Sequence, residues 1–369
     1  LTVWLPVIIA ASIALGIFIG NHYLSISQGK KRSYSSGNKI NAILDIIDEQ
    51  YVDTVSMSKL VESTIPKIFS ELDPHSVYIP AEDASVVNEE LEGSFSGIGV
   101  SFNMQTDTIL VISVISGGPA EKAGLLPFDR IISINDSIFS GKKKNQGEIM
   151  KTLRGAKNST VKLGVQRGNS PELLYFDVTR GDVPVNSVDV SYEAAKGIGY
   201  IKVSKFARNT YNEFITAIAK LKQAGCTSFV IDLRGNTGGY MDAAINMINE
   251  FMPEGRLIVY TEGKSFPRSD VYANGTGTCK DAPIVVLTDE ISASASEIFS
   301  GAIQDNDRGT IIGRRTYGKG LVQTQMSLSD GSEMRLTIAR YYTPSGRCIQ
   351  KKYEMGNTDA YDQDIYNRY

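Results

Sequence analysis

The stretch PIVVLTDEISASASEIFSGAIQD, residues 283–305, holds the pattern on which the fold turns. Its first part, PIVVLTD, is short, apolar and β-branched, the kind of strand that a parallel sheet buries on both faces. Its second part, SASEIFSGAIQD, puts Ala295, Ile298, Phe299 and Ala302 on one helical face. A buried strand running into such a helix is a unit of an α/β layered fold. Ser292, Ser294 and Ser296 lie at the junction, spaced by alanines. A serine there can simply cap the helix. It also stands where the helix dipole and free N–H groups favour negative charge, so an alkoxide or a tetrahedral oxyanion would be stabilised.

Working outward, strands and helices alternate from about 185 to 345. IGYIKVSKF (198–206) reads as a strand, and TYNEFITAIAKLKQAG (210–225) as a helix opened by a capping box of Thr210 and Glu213. TSFVIDL (227–233) is a second buried strand, followed by the loop RGNTGG and a helix with Met241, Ala244, Ile245, Ile248 and Met252 on one side. After the strand TIIG comes GRRTYGKGLVQTQ (313–325), with Lys319 between two glycines. A lysine held with so little bulk beside it can be pressed into a site. Desolvation then lowers its pKa from about 10.4, and a neutral amine can serve as a general base. A solvated loop lysine is the plainer reading of this stretch alone. The spacing is not that of a P-loop, because Gly320 follows the lysine.

Bulk properties narrow the function. The 369 residues exceed one typical domain. Apolar content of 42% with 21% charged residues fits a chain with a real core. A net charge of −3 gives no basic footprint for nucleic acid. Three cysteines without CxxC spacing argue against a zinc site, and Cys226 reads as a small packed residue before a strand. Only His22 and His75 could serve a Ser-His-Asp triad, and both stand far in sequence from the other motifs.

Residues 3–20 carry no charge and are long enough to span a bilayer, so an uncleaved signal anchor is expected over 1–21, with a cleaved signal peptide as the other reading. The run Lys30–Lys31–Arg32, inside a polar linker over 22–37, reads as its flank, and the first residue, Leu1, suggests a preceding charged segment. Residues 38–71 read as helical, with Ile40, Ile43, Leu44 and Ile47 in register, ahead of the turn LDPHSVYIPAED (72–83).

From 93 to 182 the character changes. GSFSGIGVSFN, ILVISVI, GGPAEKAGLLPFDRIISIND, NQGEIMKTLRG and two closing strands follow in order. This pattern resembles a PDZ domain, with Phe128 where the family usually has glycine. Gly97, Ile98, Gly99 and Val100 match its carboxylate-binding loop, and Ile149 and Leu153 the groove helix. A glycine-rich turn offers successive N–H groups to an anion, and a strand edge can pair with an extended tail.

Together LDPHSVYI, a PDZ-like segment, DLRGNTGG, SASASEIFSGAIQD and TYGKGLVQ, in this order, resemble the carboxy-terminal processing proteases, tail-specific peptidases with a Ser-Lys dyad. The resemblance runs from about 38 to 350. It implies an α/β (α+β multidomain) chain: a crotonase- or Clp-protease-like core over 183–350, an inserted PDZ domain, a helical region over 38–92, and the start of a further region over 351–369. Carried over by position, Ser294 is the nucleophile, Lys319 the base and Gln323 its orienting residue. Ala295 with Gly238 or Gly239 would form the oxyanion hole, and Arg154 would couple the PDZ domain to the core. No metal or organic cofactor is implied. The implied partners are protein substrates with apolar C-termini, a membrane met through the N-terminal segment, and a second copy in a homodimer or higher oligomer. The implied place is the bacterial cell envelope, anchored in the inner membrane with the catalytic part outside the cytoplasm. Two other readings compete. A PDZ scaffold without catalysis has no need of Ser294, Lys319 and Gln323 together, and a crotonase-like acyl-CoA enzyme has no need of an anchor or a PDZ insertion.

Overall fold

The computed structural model describes Ile13 and residues 36–105, 108–140, 146–357, 360–361 and 363–364. The apolar run 3–20, apart from Ile13, and the basic run 30–32 lie outside the described residues. Among those described, no helix is long and apolar enough to cross a membrane. Residues 1–65 and 66–369 form two compact units.

The stretch 38–71, read as helical, holds two helices. Helix α1 (Ser36–Gln50) ends before Tyr51–Ser56, and α2 (Met57–Ser70) starts anew and runs into the second unit. Asp53, Thr54 and Val55 are weak helix formers, and Ser56 Oγ accepts the Lys59 N–H to open α2.

The second unit continues with β1 (Val77–Ile79) and α3 (Ala81–Glu92). Next come β2 (Ser94–Gly97), β3 (Val100–Gln105), β4 (Thr108–Val114), α4 (Pro119–Ala123), β5 (Arg130–Ile134), β6 (Ser137–Ile138), α5 (Gln146–Leu153), β7 (Thr160–Gln166), β8 (Leu174–Thr179) and β9 (Gly181–Pro184). An antiparallel sheet runs β3-β4-β5-β7-β8, with β6 on β5, and β2 pairs separately with β9. Alternation along β4, β5 and β7 turns Val111, Ile131, Val161 and Leu163 into one core. Ile149 and Leu153 belong to that core, 0% and 4% exposed. At a spacing of four they share the helix face that packs on the sheet. Edge strand β3 pairs only with β4 among the described strands, so its outer row of N–H and C=O groups stays open.

Phe128 has φ 70 and is 74% exposed. The turn needs the left-handed region, which glycine enters without the Cβ clash that strains phenylalanine. Phe128→Gly is expected to stabilise the chain by roughly 0.5–1 kcal/mol, after the added unfolded-state entropy is subtracted. A lower urea midpoint would contradict this.

The remaining elements are β10 (Val188–Ala195), β11 (Ile198–Val203), α6 (Thr210–Gln223), β12 (Ser228–Asp232), α7 (Met241–Asn249), β13 (Leu257–Gly263), β14 (Phe266–Tyr272), β15 (Ile284–Thr288), α8 (Ala295–Asp305), β16 (Thr310–Gly313), β17 (Leu321–Ser327) and β18 (Glu333–Tyr342). One sheet runs β10-β11-β12-β15-β16 and is parallel from β11 onward. A second runs β1-β18-β13-β14, with β17 on β18. One core joins sheets and helices, centred on edge-on contacts of Phe251 with Phe214, Phe229 and Phe299 at 6.2–6.5 Å. Truncating such a ring typically costs about 3–5 kcal/mol.

The capping box expected at α6 does not form. Thr210 Oγ1 accepts the Ala207 N–H at 2.7 Å, while the Glu213 carboxylate accepts the N–H groups of Ser187 and Val188 at 2.7 and 2.9 Å. A neighbouring strand start offers Glu213 two donors, where the helix end would offer one.

Candidate active site

Parallel strands direct their following loops to one edge, where α/β folds build sites. Asp232 lies opposite Leu287, and Thr288 opposite Gly313. The loops after β12, β15 and β16 therefore emerge together. They carry the glycines of RGNTGG, the serines of SASAS, and Lys319.

Hydrogen bonds stitch these loops. Ser292 Oγ donates to the Leu233 carbonyl at 2.8 Å, and Ser296 Oγ to the Asn236 carbonyl at 3.0 Å. Both serines are fully buried. Asn236 also takes the Ala293 N–H at 3.0 Å. Asp289 accepts the Gly235 and Ser292 N–H groups. Asp232 anchors the first loop from below, accepting from Tyr200 Oη at 2.6 Å and Arg234 Nη2 at 2.6 Å. These bonds hold its carboxyl down at about 2 against the opposing effect of burial.

Ser294 differs from its neighbours. It is half-buried and occupies the N-cap of α8 with φ 55 and ψ −113. A non-glycine residue so placed stores strain, of the kind found at functional sites. Ser294 and Glu297 form the capping box of α8, with the Ser294 N–H donated to Glu297 Oε2 at 2.9 Å. Glu297 is 2% exposed and takes three further donors: the Lys319 N–H at 2.8 Å, the Gly318 N–H at 2.7 Å and Thr316 Oγ1 at 2.7 Å. One carboxylate thus fixes the backbone of the serine and of the lysine together. Burial pushes its pKa up, and the four donors oppose that rise.

Lys319 is partly buried, and its Nζ makes no hydrogen bond among the described residues. Its pKa is lowered, first by burial and then by the charge of Arg335, with Asp73 and Glu297 opposing. The buried Tyr341 hydroxyl donates to the Lys319 carbonyl and adjoins the Ser294 side chain.

Gly238 packs beneath Ser294: an added Cβ would stand 2.7 Å from Ser294 Cβ and 3.1 Å from the Ala295 nitrogen. At Gly239, with φ 139, a Cβ would stand 2.1 Å from the Phe206 oxygen. The Gly238 N–H is donated to Asn236 Oδ1 at 2.8 Å. Of this pair, Gly239 is the one whose N–H has no acceptor among the described residues. The same holds for Ala295, the first residue of α8.

The sequence between residues 197 and 359 matches the model of peptidase family S41, and residues 96–189 match a PDZ domain. The probable CtpA-like serine protease of Staphylococcus aureus is 33% identical over 355 residues, covering 95% of this chain and 70% of that protein. The chain belongs to this family. The carboxy-terminal processing protease CtpB of Bacillus subtilis is 35% identical over 318 residues, covering 85% of this chain and 66% of its own length. The chain thus spans about two thirds of the length of these relatives. The structure of a photosystem II D1 C-terminal processing protease, 28% identical, aligns with 86% of this chain and 91% of its own at a TM-score of 0.48. S41 peptidases of the carboxy-terminal processing group are serine-type peptidases, and this chain carries the PDZ domain as well.

Ser294, Lys319, Gly238 and Gly239 stand on three neighbouring loops, and Ala295 opens α8. Gln323 lies on β17 and donates its Nε2 to the carbonyl of His75. Arg154 stacks over the Phe95 ring of β2 at 4.5 Å, within the PDZ domain itself. In the loop Gly97–Val100, Gly99 has φ 78, while the carbonyls of Ile98 and Gly99 accept the N–H groups of Ala120 and Ile115. Sequence reasoning missed Glu297, although Ser294–Glu297 reads S-x-x-E, the capping-box signature. It also set aside His75, which stands close enough to Lys319 to feel its charge. Burial and then that charge push His75 down to about 4, and its Nε2 is engaged with Tyr361 Oη at 2.7 Å.

Proposed function

We propose that the chain is a serine endopeptidase that captures apolar C-terminal tails in its PDZ domain and cuts peptide bonds with Ser294 and Lys319. The observation that carries this reading is the Glu297 carboxylate, which holds a strained serine and a desolvated lysine on one set of four hydrogen bonds. Neutral Lys319 takes the Ser294 proton as Oγ bonds to the scissile carbonyl carbon. The oxyanion forms beside the N–H groups of Ala295 and Gly239. The C–N bond breaks as Lys319 returns the proton to the leaving amine. Water then attacks the acyl ester, giving a proton to Lys319, and Lys319 passes that proton to Ser294 Oγ as the ester C–O bond breaks.

The open edge of β3 supports tail capture by strand addition. Two unstructured polypeptides differing only in their last three residues, Val-Ala-Val or Asp-Asp-Asp, test it. Cleavage of the apolar-tailed form is expected at least about 10-fold faster in kcat/KM, since burying a few apolar side chains is worth 1–3 kcal/mol each. Equal rates would overturn tail recognition.

A further inference from the structure

The segment LDPHS, residues 72–76, has no part in the reaction drawn above, yet it is built into the catalytic hairpin. Asp73 is 8% exposed and its carboxylate accepts four hydrogen bonds. Oδ1 takes the N–H groups of His75 and Ser76, both at 2.9 Å, and the Thr337 hydroxyl at 3.0 Å. Oδ2 takes the Ser76 hydroxyl at 2.5 Å. Ser76 Oγ in turn accepts the Thr337 N–H at 3.0 Å, and Val77 opens β1 opposite Arg335 of β18. The turn is therefore fixed to β18 at Thr337. Thr337 is the cross-strand partner of Gln323 in the β17–β18 pairing. Gln323 Nε2 closes the circuit by donating to the His75 carbonyl.

A backbone carbonyl can only accept. The Gln323 amide must therefore present its nitrogen to His75 and its oxygen to the opposite side. Lys319, four residues earlier, lies in the same surroundings, close enough to exchange electrostatic effects with both Asp73 and His75. Once it has taken the Ser294 proton, its ammonium has three donors that call for acceptors.

We propose that the Asp73–Ser76 turn is a positioning element that fixes the Gln323 amide, so that its oxygen receives and orients Lys319. This rests on the Ser-Lys reading. Asp73 and His75 touch no substrate; they act through Gln323.

A double-mutant cycle on kcat in the full chain tests the proposal, using a quenched-fluorescent peptide ending in Val-Ala-Val. Asp73→Ala and Gln323→Ala are each expected to lower kcat by roughly 30- to 100-fold, with KM moving less than about 3-fold, as expected for a misplaced catalytic group. The double variant should be no slower than Gln323→Ala alone. Asp73→Asn, whose Oδ1 still accepts the His75 and Ser76 N–H groups, should recover most of the loss. If Asp73→Ala does not fold, Thr337→Val, which keeps the side-chain shape and removes one donor to Asp73, takes its place in the cycle. Losses that multiply in the double variant, or Asp73→Ala activity equal to wild type, would overturn the positioning role. Ser294→Ala and Lys319→Ala run alongside: if either still cleaves at the wild-type rate, the dyad reading itself falls, whatever the cycle shows.

Discussion

Ser294→Ala and Lys319→Ala are each expected to cut kcat/KM by at least about 1,000-fold while the chain keeps its fold. On the proposed mechanism the serine variant loses the atom that bonds to carbon, and the lysine variant loses the acceptor of its proton. Alanine at 294 also weakens the cap of α8, at a cost of about 1 kcal/mol, which leaves a folded core. Lys319→Arg should be as inactive as Lys319→Ala, because a guanidinium keeps its proton at any working pH. In the unaltered enzyme, kcat should climb with pH through the apparent pKa of the dyad. Only the neutral amine is a base, and burial brings that transition below the value of a free lysine. A rate that falls as pH rises through this range would sink the assignment. Ser292→Ala and Ser296→Ala provide the contrast. Their hydroxyls are hydrogen-bonded to the Leu233 and Asn236 carbonyls. Losing one should lower stability by about 1 kcal/mol and leave cleavage measurable. If one of these two abolished cleavage and Ser294→Ala did not, the wrong serine has been chosen.

What could be read in advance was what local pattern controls. The apolar runs at 228–232 and 284–288 are buried parallel strands because their β-branched residues suit a sheet covered on both faces. The helix at 295–305 buries Ala295, Ile298, Phe299 and Ala302, which its periodicity marks, and buries the other residues from Ser296 to Ile303 as well. What escaped was polar partnership across long sequence distance. Glu213 has the spacing of a capping box, yet two N–H groups 25 and 26 positions away claim its oxygens. Glu297 has the same spacing and does cap, and its remaining lone pairs reach a loop 19 to 22 positions on. Nothing local separates these two glutamates. The difference lies in which loop the sheet order brings alongside. His75 was set aside because it is remote in sequence. The β1–β18 pairing places it at the hairpin that carries Gln323. At Ile149 and Leu153, helical spacing marks an apolar face, and the structure packs that face into the domain's own core.

Glu297→Gln changes one atom and is expected to damage both stability and catalysis. The carboxylate is an acceptor at both oxygens, and each oxygen faces two donors. A glutamine amide must turn its NH2 toward one of those pairs. With nitrogen at the Oε1 position, the Gly318 N–H and the Thr316 hydroxyl lose their acceptor. With nitrogen at the Oε2 position, the Ser294 and Lys319 N–H groups lose theirs. Either choice places donor against donor at a buried site. Leaving buried donors unsatisfied costs about 1–3 kcal/mol each, so a loss of roughly 2–4 kcal/mol is expected, read as a lowered urea midpoint at unchanged m-value. Thr316 can turn its hydroxyl to accept, which favours the first orientation and frees the Gly318 N–H. That frees the loop holding Lys319, and kcat should fall at least about 100-fold, the scale of a misplacement near 1 Å. The lost activity should not return at higher pH, because the defect is one of place and not of protonation. Glu297→Asp, which keeps the charge but shortens the reach, should fall between the two. Full activity in Glu297→Gln would show that the serine and lysine loops are held together without this carboxylate.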